Sequence, residues 1–202
     1  INTGTYTTAA AQLINAVNIG ANTLNIEGAN GLTTTATNGI ITATTIDASA
    51  MTGALVMNVA AASVTTITGG SAADTLVGDA ASTINGGAGN DVITGGSGND
   101  TLNAGSGSTA SLANKLYGDS GEDILKGGDA SDEIDGGTEK DTITGGGGND
   151  VIRGGDGEDT ISGEAGDDAI SGGKGRDTIS GGSGSDTFSY GQVEYSSDSD
   201  VI

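Results

Sequence analysis

From Gly118 to Ser189 the chain repeats one nine-residue unit eight times without an insertion. The unit Gly145-Gly146-Gly147-Gly148-Asn149-Asp150-Val151-Ile152-Arg153 is followed by Gly154-Gly155-Asp156-Gly157-Glu158-Asp159-Thr160-Ile161-Ser162. The sixth position is always aspartate: Asp123, Asp132, Asp141, Asp150, Asp159, Asp168, Asp177 and Asp186. The eighth is always apolar: Leu125, Ile134, Ile143, Ile152, Ile161, Ile170, Ile179 and Phe188. Self-similarity at a fixed short period is the mark of a solenoid, in which each unit stacks on its neighbours. A disordered Gly/Asp linker has no reason to keep aspartate and isoleucine in phase.

The unit divides into two jobs. Its first six residues carry the glycines, which reach backbone angles closed to other residues, so this half is a tight turn. The last three alternate outward, inward, outward and describe a short strand with one side chain in the core. Turn, strand, turn, strand closes a coil in eighteen residues, and successive coils stack as parallel strands about 4.8 Å apart. One large aliphatic side chain per nine residues is little to set against the conformational entropy those residues lose. Stacking also brings the aspartates of adjacent coils together. A cation is the missing component, and a hard divalent ion such as calcium accepts carboxylates and turn carbonyls together.

With those residues in hand, the chain resembles the RTX family of calcium-binding β-rolls, whose signature is G-G-x-G-x-D-x-U-x. The resemblance covers Gly69 to Ser189. It implies an all-β parallel β-roll with several calcium ions between equivalent turns of neighbouring coils. One edge would carry Asp123, Asp141, Asp159 and Asp177, the opposite edge Asp132, Asp150, Asp168 and Asp186. Turn carbonyls such as those of Gly148, Gly157, Gly166 and Gly175 would complete the ligand sets. Adjacent pairs in this block give on the order of six ions.

Chemistry elsewhere sets limits. There is no cysteine and no histidine, which removes disulfides, His/Cys zinc sites and Ser-His or Cys-His nucleophile pairs. The chain therefore reads as a non-enzyme. A net charge of −21 with six Lys and Arg argues against nucleic acid and anionic membrane as partners. No membrane span or signal peptide is visible. The start at Ile1 and the abrupt finish at Ile202 suggest a piece of a larger protein. Thirty-nine glycines, 2% aromatics and strong acidity predict an expanded chain without calcium.

Residues 1–68 are rich in Thr, Ala and Asn, with Glu27 and Asp47 as their acids and no base. Residues 69–202 hold six bases against twenty-five acids, a net −19. In the first part Thr8 to Val17 is expected as a helix capped by Thr8. Strands are expected at Thr23–Ile26, Ile40–Ile46, Leu55–Val59 and Val64–Thr68. Ile46, Leu55 and Val64 lie nine apart, as do Ile67 and Leu76. This favours a metal-free β-solenoid-like segment leading into the roll, with a small irregular β domain as the alternative.

Residues 69–103 form a first repeat block, with Asp74, Asp91 and Asp100 at the sixth position. Asp74 and Asp91 are expected to share an ion, whereas the partner of Asp100 is open. Gly78–Asn85 is one residue short and lacks the aspartate. Residues 104–117 read as a repeat with about five residues inserted, hence an extruded loop with the coil resuming at Leu116, or a hinge between two rolls. In the main block, residues 118–189, Asp119 and Glu164 hold the second position and Ala130 and Glu139 the fourth, which is expected to weaken those sites. Lys174 and Arg176 read as solvated partners of nearby carboxylates. Residues 190–202 are expected as a C-terminal cap.

Extracellular calcium modules bind at about 10⁻⁴–10⁻³ M, far above cytosolic calcium, so such a chain stays unfolded inside a cell and folds outside it. The RTX resemblance implies the same, through bacterial type I secretion. The stretch Thr45 to Leu55 ahead of the roll is similar to RTX-type S-layer proteins, which implies a secreted structural protein of the cell surface, with copies of itself as lattice partners. The other readings are the secretion and folding module of an exported protease or lipase, and a segment of an RTX adhesin.

Overall fold

The computed structural model describes residues 4–7, 12–14, 23–35, 43–59, 64–105 and 113–189. Seven short strands lie in the first part, β1 (Gly4–Thr7), β2 (Gln12–Ile14), β3 (Thr23–Glu27), β4 (Leu32–Thr35), β5 (Thr45–Asp47), β6 (Leu55–Asn58) and β7 (Thr66–Thr68), and β8 (Thr75–Val77) opens the repeats. The repeats supply β9 (Thr83–Gly87), β10 (Val92–Ser97), β11 (Thr101–Gly105), β12 (Lys115–Ser120), β13 (Ile124–Gly128), β14 (Glu133–Thr138), β15 (Thr142–Gly147), β16 (Val151–Asp156), β17 (Thr160–Ala165), β18 (Ala169–Lys174), β19 (Thr178–Ser183) and β20 (Thr187–Ser189).

Odd-numbered strands form one ten-stranded sheet and even-numbered strands another, every pair parallel. The all-β parallel β-roll expected from the period is the fold found, and no helix occurs among the described residues. The apolar eighth positions stack in register: Leu125 on Ile143 on Ile161 on Ile179 in one sheet, Leu116 on Ile134 on Ile152 on Ile170 in the other. The rows meet between the sheets as a single core running from Leu24 to Ile179, with Phe188 packed against its end.

Strands in the roll reach six residues instead of three. In β16 the inward positions are Ile152 and Gly154, so the first glycine of the next unit is a strand residue that faces the interior. The ladder continues because Arg153 pairs with Ser171 and Gly155 with Gly173. Coil length absorbs the irregularities. Leu76 meets Ile93 and Ile67 meets Ile84, an offset of 17 set by the short unit at Gly78. Ile93 meets Leu116 and Leu102 meets Leu125, an offset of 23, so the coil does resume at Leu116 after the insertion. Residues 106–112 of that insertion lie outside the described residues, as do residues 190–202 of the expected cap.

Both sheets run unbroken across the change in composition, with β5, β7 and β9 adjacent in one and β6, β8 and β10 in the other. Three expectations for the first part need correction. The helix from Thr8 to Val17 is replaced, over Gln12–Ile14, by a strand paired with Leu32–Thr34; an inter-coil ladder outweighs local helix preference. The rest of that stretch lies outside the described residues. The strand expected from Ile40 begins at Thr45, and residues 40–42 lie outside. The nine-residue spacing of Ile46, Leu55 and Val64 holds for the first two, on β5 and β6 in opposite sheets, but Val64 is buried ahead of β7 and the residue that pairs with Ile46 there is Ile67. These coils are longer than eighteen residues, and β3 and β6 each bury two apolar side chains, Leu24 with Ile26 and Leu55 with Met57.

Candidate metal centre

Each turn ends by burying its sixth residue. One edge, leading into the odd-numbered strands, carries Ser82, Asp100, Asp123, Asp141, Asp159 and Asp177; the other carries Asp74, Asp91, Asn114, Asp132, Asp150, Asp168 and Asp186. The two edges expected for the main block are those observed, and all of these aspartates except Asp186 are buried. Asp186, on the last strand pair, is half-buried.

Within each row the contact has one polarity. The N–H of Asp123 donates to Oδ1 of Asp141 (2.9 Å), that of Asp141 to Asp159 (2.8 Å) and that of Asp159 to Asp177 (2.9 Å). On the opposite edge Asp132 donates to Asp150 (2.8 Å), Asp150 to Asp168 (2.8 Å) and Asp168 to Asp186 (3.0 Å). Across the insertion Asp100 donates to Asp123 at 2.7 Å, which supplies the partner that sequence reading left open. Asp74 and Asp91 are neighbours, at 2.9 Å.

Oδ1 is thus satisfied, whereas Oδ2 is left over along much of both rows. In Asp91, Asp100, Asp123, Asp132, Asp141, Asp150, Asp159 and Asp168 this oxygen is buried and meets no hydrogen-bond donor. A buried, unpaired carboxylate oxygen is costly. Burial raises these carboxyls, despite the backbone N–H that favours the charged form: Asp141 and Asp150 to about 7, Asp91, Asp100 and Asp159 to about 6, with carboxylates of adjacent coils adding to the rise.

The first glycine of each unit makes room for that oxygen. A Cβ on Gly127 would stand 2.5 Å from Oδ2 of Asp132 and 2.5 Å from the carbonyl oxygen of Gly145 in the next coil. On Gly95 the same atom would meet Oδ2 of Asp100 at 2.5 Å and the carbonyl of Gly118 at 2.9 Å. Sequence reading assigned these glycines to turn flexibility. Their function here is a space shared by a carboxylate oxygen and a carbonyl oxygen.

The second and fourth positions are where φ turns positive, as at Gly146 (φ 114) and Gly148 (φ 98). Asp119, Glu139 and Glu164 adopt φ of 70, 76 and 77 in such places, whereas Ala130 and Gly157, at fourth positions, do not adopt a positive φ. Carbonyls of the fourth residues stack coil on coil. A Cβ on Gly148 would collide with the carbonyl of Ala130, one on Gly157 with Glu139, one on Gly166 with Gly148 and one on Gly175 with Gly157.

Among the described residues no three Asp, Glu, His or Cys side chains converge on one point. A cation at these turns must therefore combine carboxylates with peptide carbonyls, an all-oxygen donor set that suits calcium and excludes softer metals. The orphaned Oδ2 atoms, the acceptor-lined space beside the first glycine and the stacked carbonyls all fit such an ion. When bound, calcium supplies the positive charge that the buried carboxylates lack.

The model for the RTX calcium-binding nonapeptide repeat, four copies long, matches residues 66–82, 78–109, 110–143, 135–170 and 162–192. The chain belongs to the RTX calcium-binding repeat family. Neither a curated relative nor a solved structure matches it.

As an RTX roll the chain has two rungs that depart from the repeat, one at Asp74 and one, missed by motif reading, at Asn114. Asp74 has both carboxylate oxygens satisfied by backbone, Oδ1 by Leu55 N–H and Oδ2 by Gly70 N–H, each at 2.7 Å. Asn114 stands in an aspartate place two residues before the buried Leu116. Its Oδ1 accepts from Asp91 N–H (2.9 Å), and its N–H and Nδ2 donate to Oδ1 of Asp132 (2.7 and 2.9 Å). Its spacing to Leu116 was the available signal. Away from the rows, Lys174 pairs with Asp156 (2.9 Å) and Arg176 with Glu158 (3.8 Å), each one coil back, in exposed ion pairs of the kind worth little.

Proposed function

We propose that the chain is a structural calcium-binding module of a secreted bacterial cell-surface protein of the S-layer kind, whose repeats fold on calcium after type I secretion. The observation that carries this reading is the row of buried Oδ2 atoms without donors on both edges. A roll with that defect in each coil is poorly stable alone and gains from any ion that neutralises it. The bound set we assign is Asp91, Asp100, Asp123, Asp132, Asp141, Asp150, Asp159, Asp168, Asp177 and Asp186 with turn carbonyls including those of Gly148, Gly157, Gly166 and Gly175; Asp74, whose two carboxylate oxygens both accept from backbone N–H groups, is left out of it.

Family membership supports calcium binding and a structural role in place of catalysis. RTX repeats are typical of secreted proteins, and among the described residues no helix is long and apolar enough to cross a membrane. The continuity of both sheets from the Thr/Ala/Asn-rich segment into the roll supports a structural surface protein over an enzyme's detachable secretion module, for which a linker is expected.

Circular dichroism during a calcium titration, with magnesium as control, tests the first part: a cooperative gain of β signal is expected with calcium alone. Electron microscopy of the parent protein in calcium tests the second. Ordered two-dimensional sheets are expected; discrete particles would favour the exported enzyme or adhesin.

A further inference from the structure

The first coils differ from the roll in what holds them. Between Ile46 and its ladder partner Ile67 the chain buries Ile46, Met51, Leu55, Met57, Val59 and Val64. A roll coil such as that from Leu125 to Ile143 buries Leu125 and Ile134, with Ala130 in a turn. The roll places a buried aspartate in both turns of that coil, Asp132 and Asp141. The ionisable side chain of the β5–β7 coil is Asp47, whose Oδ1 accepts from the N–H (3.0 Å) and hydroxyl (2.6 Å) of Ser49 at the surface.

At the seam stands Asp74. Its carboxylate is closed by Leu55 N–H from the preceding coil and by Gly70 N–H from its own turn, so this rung is complete from protein groups alone. Its own N–H faces the C-terminal side, where it meets Oδ1 of Asp91. Every later rung repeats that polarity, so a coil added on the C-terminal side brings its carboxylate to an N–H already held in place. Strands β7 and β8 present the edges on which β9 and β10 pair.

We propose that strands β5–β8, closed by the Asp74 rung, form a calcium-independent primer that stays folded when calcium is withdrawn and from which the calcium-dependent coils assemble toward the C terminus. This rests on the reading that the later rungs bind calcium. The apolar burial supplies cohesion without an ion, the sheet edges supply register, and the ladder polarity supplies direction.

Hydrogen exchange read by mass spectrometry on the full chain, in chelator and in calcium, tests it. In chelator the amides of β5–β8 are expected to remain protected while those of β13–β19 exchange as an open chain; calcium then protects β13–β19. Uniform fast exchange in chelator overturns the primer and leaves calcium binding intact. Protection of β13–β19 in chelator overturns the calcium reading, and the primer with it. As a second measurement, Asp74→Ala is expected to slow calcium-triggered folding at least fivefold while the final calcium-bound signal is retained. An unchanged rate, or greater slowing by Asp177→Ala, overturns the directional assembly.

Discussion

The peptide N–H of Asp141 donates to Oδ1 of Asp159 across 2.8 Å, although the two residues lie a full coil apart. That bond consumes one oxygen of the carboxylate and turns the other into a buried place where no donor reaches. The same relation repeated along both edges makes each aspartate a link between two coils, so that a change at one residue is felt on both sides.

Asp150 is such a link, between Asp132 and Asp168. Asp150→Asn retains an oxygen for the Asp132 N–H but removes the charge. We expect titration calorimetry to show up to two fewer calcium ions bound and a calcium midpoint raised several-fold, with the β signal recovered at high calcium. An unchanged stoichiometry would place the ions elsewhere.

The first glycine is testable against its neighbour. A Cβ on Gly145 would press on Oδ2 of Asp150 and stand 2.9 Å from the Gly163 carbonyl and 3.0 Å from Cδ1 of Ile152. On Gly147 the nearest atom is 3.6 Å away, an ordinary contact. Gly145→Ala is expected to cost about 2–3 kcal/mol through overpacking and loss of the adjoining sites, and Gly147→Ala within about 0.5 kcal/mol of neutral, by thermal melts in calcium.

Glu164 holds a second position with φ of 77, between Gly146 and Gly182 in the same ladder. A left-handed backbone costs a residue with a Cβ roughly 1–2 kcal/mol. Glu164→Gly gives up a 2.9 Å bond from Ser162 Oγ at the surface and relieves that strain. Melting in calcium is expected to show a gain of about 1 kcal/mol; a loss would mean the side chain contributes more than its backbone costs.

The pH dependence follows from the raised carboxyls. In the metal-free roll Asp141 and Asp150 titrate near 7 and Asp91, Asp100 and Asp159 near 6, mainly through burial, against about 3.9 in an unfolded chain. Groups raised on folding favour the metal-free fold below the unfolded value and lose that contribution as pH rises through 6 to 7. Calcium requires the charged form, so protons compete with it. The calcium midpoint is expected to fall by roughly tenfold or more from pH 5 to pH 8 and to level off above 7. A midpoint flat across that range would separate these carboxyls from the ion.

Much of the architecture was legible in advance because a period is a geometric statement. Asp and Ile kept in phase for eight units superimpose only if the coils stack, and stacking puts Asp123 over Asp141 and Leu125 over Ile143. The first part was harder to read. Its coils exceed eighteen residues and vary, so the nine-residue spacing that relates Ile46 on β5 to Leu55 on β6 does not carry Val64 onto β7, where Ile67 pairs with Ile46, and Gln12–Ile14 became a strand because Leu32–Thr34 lies beside it.

The order of residues alone settled the repeat, the parallel roll, the two acidic edges and the oxygen chemistry that calls for a hard cation. These depend on periodicity and residue type, both of which a linear chain displays. Tertiary structure decided which carboxylate oxygen finds a donor, that Asp74 is closed by Leu55 and Gly70, that Asn114 completes a rung, and that Asp100 reaches Asp123 across the insertion. Each depends on which N–H of the neighbouring coil stands opposite, and that register is a property of two coils together.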